Sequence, residues 1–317
     1  VHSPFFHLYN PFPECYNQRI KQQMRRGESS MIKIGFIGVG IMGKSMVRNL
    51  MKAGFEVGIY TRTKEKAEDI INEGAIWYPD AASCASGKDF VITIVGYPSD
   101  VEEVYFGEKG ILLGADPGTC LIDMTTTSPE LAKRIYAEAG KKGLKALDAP
   151  VTGGDTGAKE GTLTILAGGD KEDFDCCLPV FEAMGKAIRY TGGPGNGQHT
   201  KMCNQIAIAG SIAGVCEAIN YARANGLDDR NMVESIATGA AGSAQLNLQA
   251  PKILSGDYEP GFFIKHFIKD MKIAEEEANR AGISLGVLTY VRSMYENMEE
   301  NGQGDEGTQA LIKYYQW

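Results

Sequence analysis

The chemical reading turns on Lys201. It stands in Gly195-Asn-Gly-Gln-His-Thr-Lys201-Met-Cys-Asn204. On a helix, Gly197, Lys201 and Asn204 share one face at spacings of four and three. A glycine one turn before a lysine opens room for a ligand. A lysine has a reference pKa of about 10.4, so it carries a proton at neutral pH. It can give that proton to a carbonyl oxygen as hydride reaches the carbonyl carbon. Asn204 can orient the lysine or the reacting group, while His199 falls on another face. A solvated surface lysine fits the same residues, and the pattern alone leaves both readings standing.

Two further clusters suit an anionic ligand. Asp148-Ala-Pro-Val-Thr-Gly-Gly154 leaves a strand and turns through two glycines beside a hydroxyl. Backbone N–H groups in such a turn form an anion-binding concavity. The Thr152 hydroxyl and the Gly153 and Gly154 amides are therefore candidates to bind a carboxylate, with an ordinary loop as the competing reading. In Phe262-Phe-Ile-Lys-His-Phe-Ile-Lys269-Asp270, a Lys–Asp pair interrupts an apolar helical run. Charges are rarely buried without a partner. Asp270 is a candidate to pair with a cation and Lys269 to reach a cofactor; a solvated face is the alternative.

Gly38-Val39-Gly40-Ile41-Met42-Gly43 fits G-x-G-x-x-G, follows a strand-like run and opens a helix-like one. In that context it reads as a dinucleotide turn. Gly38 makes the tight bend, Gly40 lets a pyrophosphate reach N–H groups at the helix start, and Gly43 lets helix and strand pack closely. NAD sites usually place Asp or Glu at the end of the second strand, on the ribose 2′-hydroxyl. Here that place reads Thr61-Arg62-Thr63. An arginine flanked by hydroxyls suits a 2′-phosphate, so NADP is expected over NAD.

These residues need a scaffold. From Met31 onward, short apolar runs (32–37, 57–60, 90–95, 120–124, 145–149, 163–167, 187–190) alternate with amphipathic stretches (44–53, 64–73, 129–142). Such alternation predicts a mostly parallel sheet with helices on both faces. After Gly197 only helices are expected: a long one near 198–225, rich in small residues, then 228–238, 266–281 and 286–299. The fold class is thus α/β, an N-terminal Rossmann-type doubly wound domain (31–193) followed by an all-α C-terminal domain (194–317). Residues 1–30 lack periodicity and the apolar core of a secretory signal. They read as an extension or upstream translated sequence outside the native fold.

The 317 residues carry 32 basic and 40 acidic side chains, a net charge of −8. That balance poorly matches a nucleic-acid backbone or an anionic membrane surface. No run of about 18 uninterrupted apolar residues is present. Seven cysteines (Cys15, Cys84, Cys120, Cys176, Cys177, Cys203, Cys216) and four histidines show no metal-ligand spacing, so no metal is expected. The cysteines read as free thiols of a reducing, cytoplasmic compartment.

The four motifs, in this order and spacing, resemble the β-hydroxyacid dehydrogenases over nearly all of the chain from Met31. The carrying residues are Gly-Phe-Ile-Gly-Val-Gly-Ile-Met-Gly (35–43), Asp-Ala-Pro-Val-Thr-Gly-Gly (148–154), Gly-Asn-Gly-Gln-His-Thr-Lys-Met-Cys-Asn-Gln (195–205) and Lys-Asp (269–270). The resemblance implies Lys201 as catalytic lysine, assisted by Asn204. It implies Thr152, Gly153 and Gly154 as carboxylate binders, with Thr152 where the family usually has serine. It implies Thr126 and Lys269 as cofactor contacts, and Phe262 and Asp270 as residues lining the site. The implied activity interconverts a small β-hydroxyacid and its semialdehyde (3-hydroxyisobutyrate, tartronate semialdehyde, glyoxylate or succinic semialdehyde class) with NADP, in a homodimer or homotetramer. Two other readings stay open. One is an imine reductase-like enzyme, whose relatives tend to replace the lysine. The other is a non-catalytic NADP-binding oligomeric module.

Overall fold

The computed structural model describes residues 31–315, so the expectation for residues 1–30 lies outside the described residues. Two compact units emerge, one holding residues 31–125 and 129–198, the other 126–128 and 199–315.

The first unit is built on one sheet. Its strands are β1 (Lys33–Ile37), β2 (Glu56–Tyr60), β3 (Ile76–Trp77), β4 (Phe90–Thr93), β5 (Cys120–Asp123), β6 (Lys145–Asp148), β7 (Val151–Thr152), β8 (Leu163–Gly169) and β9 (Gly185–Gly192). The order is β3-β2-β1-β4-β5-β6-β8-β7, with β9 on β8. Strands β1 to β6 are parallel, and β8 runs antiparallel to β6 and β7. The reversal has a simple cause. The link between β7 and β8 is shorter than the dozen or so residues that a parallel crossover needs.

Alternation along the strands fills two cores. Ile34 and Phe36 of β1, Phe90 and Ile92 of β4, and Cys120 and Ile122 of β5 enter one. Ile37, Val91 and Leu121, one residue out of step, enter the other. The period of two sends neighbours to opposite faces. Helices cover both faces. They are α1 (Ile41–Lys52), α2 (Glu68–Asn72), α3 (Ala81–Ala85), α4 (Pro98–Phe106), α5 (Ile111–Gly114), α6 (Pro129–Lys141), α7 (Gly154–Glu160) and α8 (Lys171–Glu182). Met46, Val47 and Leu50 of α1 join the first core; Leu131 and Ile135 of α6 join the second. Phe36 is fully buried, and truncating such a ring to alanine costs about 3–5 kcal/mol. The expected helix over 64–73 is instead a 3₁₀ turn, Lys64–Ala67, leading into α2. Thr63 offers no side-chain cap there, and an uncapped helix start tightens readily into 3₁₀.

The second unit is helical: α9 (Asn196–Ala224), α10 (Asp229–Ala237), α11 (Ala244–Ser255), α12 (Ile264–Arg280), α13 (Gly286–Glu300) and a 3₁₀ segment, Thr308–Tyr315. A single bridge, Phe263 with Gly307, is its only strand-like pairing among the described residues. The first three residues of α9 belong to the first unit and the remainder to the second. Ala209, Ile212, Cys216 and Ile219 of α9 bury one stripe against Phe267 and Met271 of α12 and Leu288 and Tyr295 of α13. Spacings of three and four keep that stripe on one face. Length and composition alone would let α9 cross a bilayer. Its apolar stripe is instead a core face, and Lys201 and Gln205 are buried within the same helix. Ser243 caps α11 by accepting the Leu246 N–H, a helix the sequence reading left unassigned.

Cys84, Cys120, Cys177, Cys203 and Cys216 are free thiols, four of them buried. Cys176 is disulfide-bonded, so the all-thiol expectation does not hold for that residue.

Candidate active site

The turn between β1 and α1 is shaped by its glycines. Gly38 has φ +102°, and a Cβ there would lie 2.0 Å from the Ile94 carbonyl oxygen. A Cβ on Gly43 would lie 2.1 Å from the Gly38 carbonyl oxygen. Both positions exclude a side chain, the first by conformation as well as by contact. Gly40 differs, since a Cβ there would meet nothing within 4 Å. That open space sits at the start of α1, which has no side-chain cap and no acidic residue in its first turn. Unsatisfied N–H groups and the positive helix end suit an anion. A dinucleotide pyrophosphate fits this place, with Gly40 leaving it room. Val39 is buried in the first core, Met42 packs against that core, and Ile41 is exposed.

At the end of β2, Thr61 is half-buried and Arg62 and Thr63 are exposed. The strand end itself carries no carboxylate. The chain supplies one from elsewhere: Asp100, in the first turn of α4, lies 3.1 Å from Arg62 Nη1.

Thr152 ends β7 half-buried. Gly153 and Gly154 follow with φ of +130° and +64°, values that favour glycine. Gly154 opens α7. Asp148, earlier in the same segment, has a structural duty that the sequence reading did not assign. Its carboxylate accepts N–H bonds from Gly195 at 2.7 Å and Gln198 at 2.8 Å, capping the start of α9. Burial pushes its pKa up to about 6, against the pull of those N–H donors. A Cβ on Gly197 would fall 2.4 Å from the backbone oxygens of Asp148 and Leu166. The space at Gly197 is therefore filled by backbone, where the sequence suggested room for a ligand. Asp123 accepts from the Thr93 hydroxyl at 2.7 Å and the Thr125 N–H at 3.1 Å. Complete burial pushes this carboxyl up to about 6 as well. Gln198 also donates to the Thr125 carbonyl at 2.7 Å, anchoring the backbone next to Thr126.

In the second unit the charges gather. Lys201 is buried on α9, 7% exposed. Desolvation lowers its pKa to about 8; nearby Asp270 opposes the fall and nearby Lys269 adds to it. Lys269 Nζ lies 2.9 Å from Asp270 Oδ1 and donates to the Thr126 carbonyl at 2.7 Å. Thr126 thus meets Lys269 through its backbone. Asp270 Oδ2 accepts from Gln205 Nε2 at 2.6 Å, and Gln205 Oε1 accepts from Asn204 Nδ2 at 2.8 Å. Asn204, expected to orient the lysine, is tied here to Gln205. Phe262 packs against the helical core, its ring 5.8 Å from that of Phe267 in an edge contact. Gln205 was missed in the sequence, although its place four residues after Lys201 puts it on the lysine's face.

Two family profiles match almost the whole described chain. The first, the NAD binding domain of 6-phosphogluconate dehydrogenase, covers residues 33–192. The second, described as the NAD-binding domain of NADP-dependent 3-hydroxyisobutyrate dehydrogenase, covers 195–315. The chain belongs to the β-hydroxyacid dehydrogenase family. As a member, it is an NAD(P)-dependent hydroxyacid dehydrogenase. It is 53% identical over 282 residues to the oxidoreductase YkwC of Bacillus subtilis (strain 168), covering 89% of this chain and 98% of that protein. It is 34% identical to the 2-hydroxy-3-oxopropionate reductase of Escherichia coli (strain K12), covering 89% of this chain and 96% of that one. The 3-hydroxyisobutyrate dehydrogenase of Mycobacterium tuberculosis, solved with L-serine, matches with a TM-score of 0.84 at 27% identity, covering 90% and 100%.

Proposed function

We propose that this β-hydroxyacid dehydrogenase interconverts a small β-hydroxyacid and its semialdehyde, prefers NADP, and uses Lys201 as general acid and base. The observation that carries the reading is a lysine buried on α9, poised near pH 8 beside Asp270 and Lys269. The nicotinamide, when bound, supplies or accepts the hydride. Lys201 holds a proton at Nζ at neutral pH and delivers it to the carbonyl oxygen during reduction; neutral Lys201 takes it back in oxidation. Asp270 favours the protonated lysine, and Gln205 and Lys269 fix Asp270 in place. Thr152, Gly153 and Gly154 receive the substrate carboxylate. Arg62 receives the 2′-phosphate of the cofactor. The Gly38–Gly43 turn receives its pyrophosphate, and Thr126 and Lys269 contribute further cofactor contacts.

The reading includes self-association, as a homodimer or homotetramer. Its support is an open groove of about 380 Å³ on the second unit, lined by Gly210, Gly214, Val287, Tyr290 and Tyr315. Val287 and Tyr290 are exposed. Sedimentation velocity should give a species of twice or four times the chain mass.

A substrate panel tests the activity: 3-hydroxyisobutyrate, tartronate semialdehyde, glyoxylate and succinic semialdehyde, each with NADPH or NADH in the matching redox state. Turnover of at least one acid, faster with the 2′-phosphorylated cofactor, is expected. Cofactor binding with no turnover across the panel would overturn the reading.

A further inference from the structure

Arg62 and Asp100 differ in freedom. Arg62 extends from the end of β2, with its side chain 74% exposed. Asp100 is 16% exposed, and its second oxygen accepts the Tyr97 N–H at 3.0 Å at the start of α4. The helix start therefore fixes the carboxylate, and the arginine is the partner able to move. A carboxylate placed here treats the two cofactor forms unequally. A 2′-phosphate drawn to Arg62 must break or share the ion pair, and it brings nearly two negative charges close to Asp100. A 2′-hydroxyl brings no charge and meets no such repulsion.

We propose that Asp100 is a specificity-determining residue: its ion pair with Arg62 restrains the preference for the 2′-phosphorylated dinucleotide. The proposal rests on the assignment of Arg62 to the 2′-phosphate. It also separates two roles that the sequence merges. Arg62 confers the preference and Asp100 sets how strong it is. The bond to the Tyr97 N–H needs only an acceptor, which an uncharged side chain would also supply.

The test is calorimetric titration of the full chain with NADPH, NADH and 2′,5′-ADP. Four variants accompany the wild type: Asp100→Asn, Asp100→Ser, Arg62→Ala and the double Asp100→Asn/Arg62→Ala. Asp100→Asn keeps a side-chain acceptor for the Tyr97 N–H, and Asp100→Ser places a shorter uncharged hydroxyl at the same position. They should bind NADPH and 2′,5′-ADP about 3–10-fold tighter, the size expected when one partly screened charge is removed. NADH affinity should stay within about 2-fold, which also reports an intact fold. The gain should shrink on the Arg62→Ala background and at high salt, as coupled charges require. Unchanged or weaker NADPH binding in both Asp100 variants, in a protein that still favours NADPH, would overturn the role of Asp100 and leave the NADP reading intact. A wild type that binds NADH as tightly as NADPH, with no loss on Arg62→Ala, would overturn both.

Discussion

The two units of this dehydrogenase equip themselves for ligands in opposite ways. At its two glycine turns the first offers backbone. Its turn at Gly38–Gly43 has open space at Gly40 and no room for a Cβ at Gly38 or Gly43, and its loop at Gly153–Gly154 takes φ values that favour glycine. Its buried carboxylates, Asp123 and Asp148, are engaged with backbone and hydroxyl groups. The second unit uses side chains. Lys201, Lys269, Gln205 and Asp270 are largely removed from water, and the burial itself tunes the lysine. Substitutions at the glycine turns of the first unit should therefore act through sterics, and those at its charged residues, such as Asp100 and Asp123, through charge. In the second they should act through charge and be read in pH.

The sharpest way to break this contrast is to remove the lysine. Lys201→Ala should lose about 10²–10⁴ in turnover, the usual contribution of an acid–base group. Cofactor affinity should stay close to wild type, measured by nicotinamide fluorescence. Next in size is Gly43→Ala, whose methyl would collide with the Gly38 carbonyl. Overpacking of this kind costs about 1–3 kcal/mol. Cofactor binding and thermal stability should fall together, with no shift of the pH–rate profile in the activity that remains.

Why the contrast was half legible in the sequence follows from distance along the chain. The glycine patterns at 38–43 and 153–154 are local, so the residues and the shape they impose sit in one stretch. Seven of the nine strands were legible for the same reason, as short apolar runs, whereas the two-residue strands β3 and β7 were too short to show. The charge partners are not local. Asp148 reaches Gly195 across 47 positions, Gln205 reaches Asp270 across 65, and Arg62 reaches Asp100 across 38. No spacing rule covers such separations. Helices α3, α5 and α7 were missed because one or two turns are too short to display a period of 3.6; α4, α8 and α11 are longer and were missed as well, the last two carrying an internal proline, Pro179 and Pro251. Gly197 was read with the wrong neighbour for the same reason as the charges. Its close contacts, the backbone oxygens of Asp148 and Leu166, come from distant strands.

Smaller effects test the electrostatics directly. Asp270 raises the Lys201 pKa, so Asp270→Asn should move the alkaline profile to lower pH. Lys269 lowers it, so Lys269→Ala should move the profile to higher pH. Opposite displacements from adjacent residues are difficult to produce by misfolding. The smallest effect concerns stability. Asp123 has a folded pKa of about 6, above its usual value near 3.8. The folded state therefore holds a proton that the unfolded chain has released, and stability falls as pH rises from about 4 to about 6. Asp123→Asn removes that dependence. Relative to wild type it should gain stability, by up to about 2 kcal/mol, between pH 5 and pH 7 in urea titrations.

The most direct measurement is the pH dependence of alcohol oxidation by the wild-type enzyme, using the best substrate of the panel with NADP⁺. A lysine poised near pH 8 must lose its proton before it can act as base, so the rate should rise through an apparent pKa of about 8 and then level. The rise should be absent from the residual activity of Lys201→Ala. A profile that is flat from pH 6 to pH 10, or that persists unchanged in Lys201→Ala, would contradict the lysine's role.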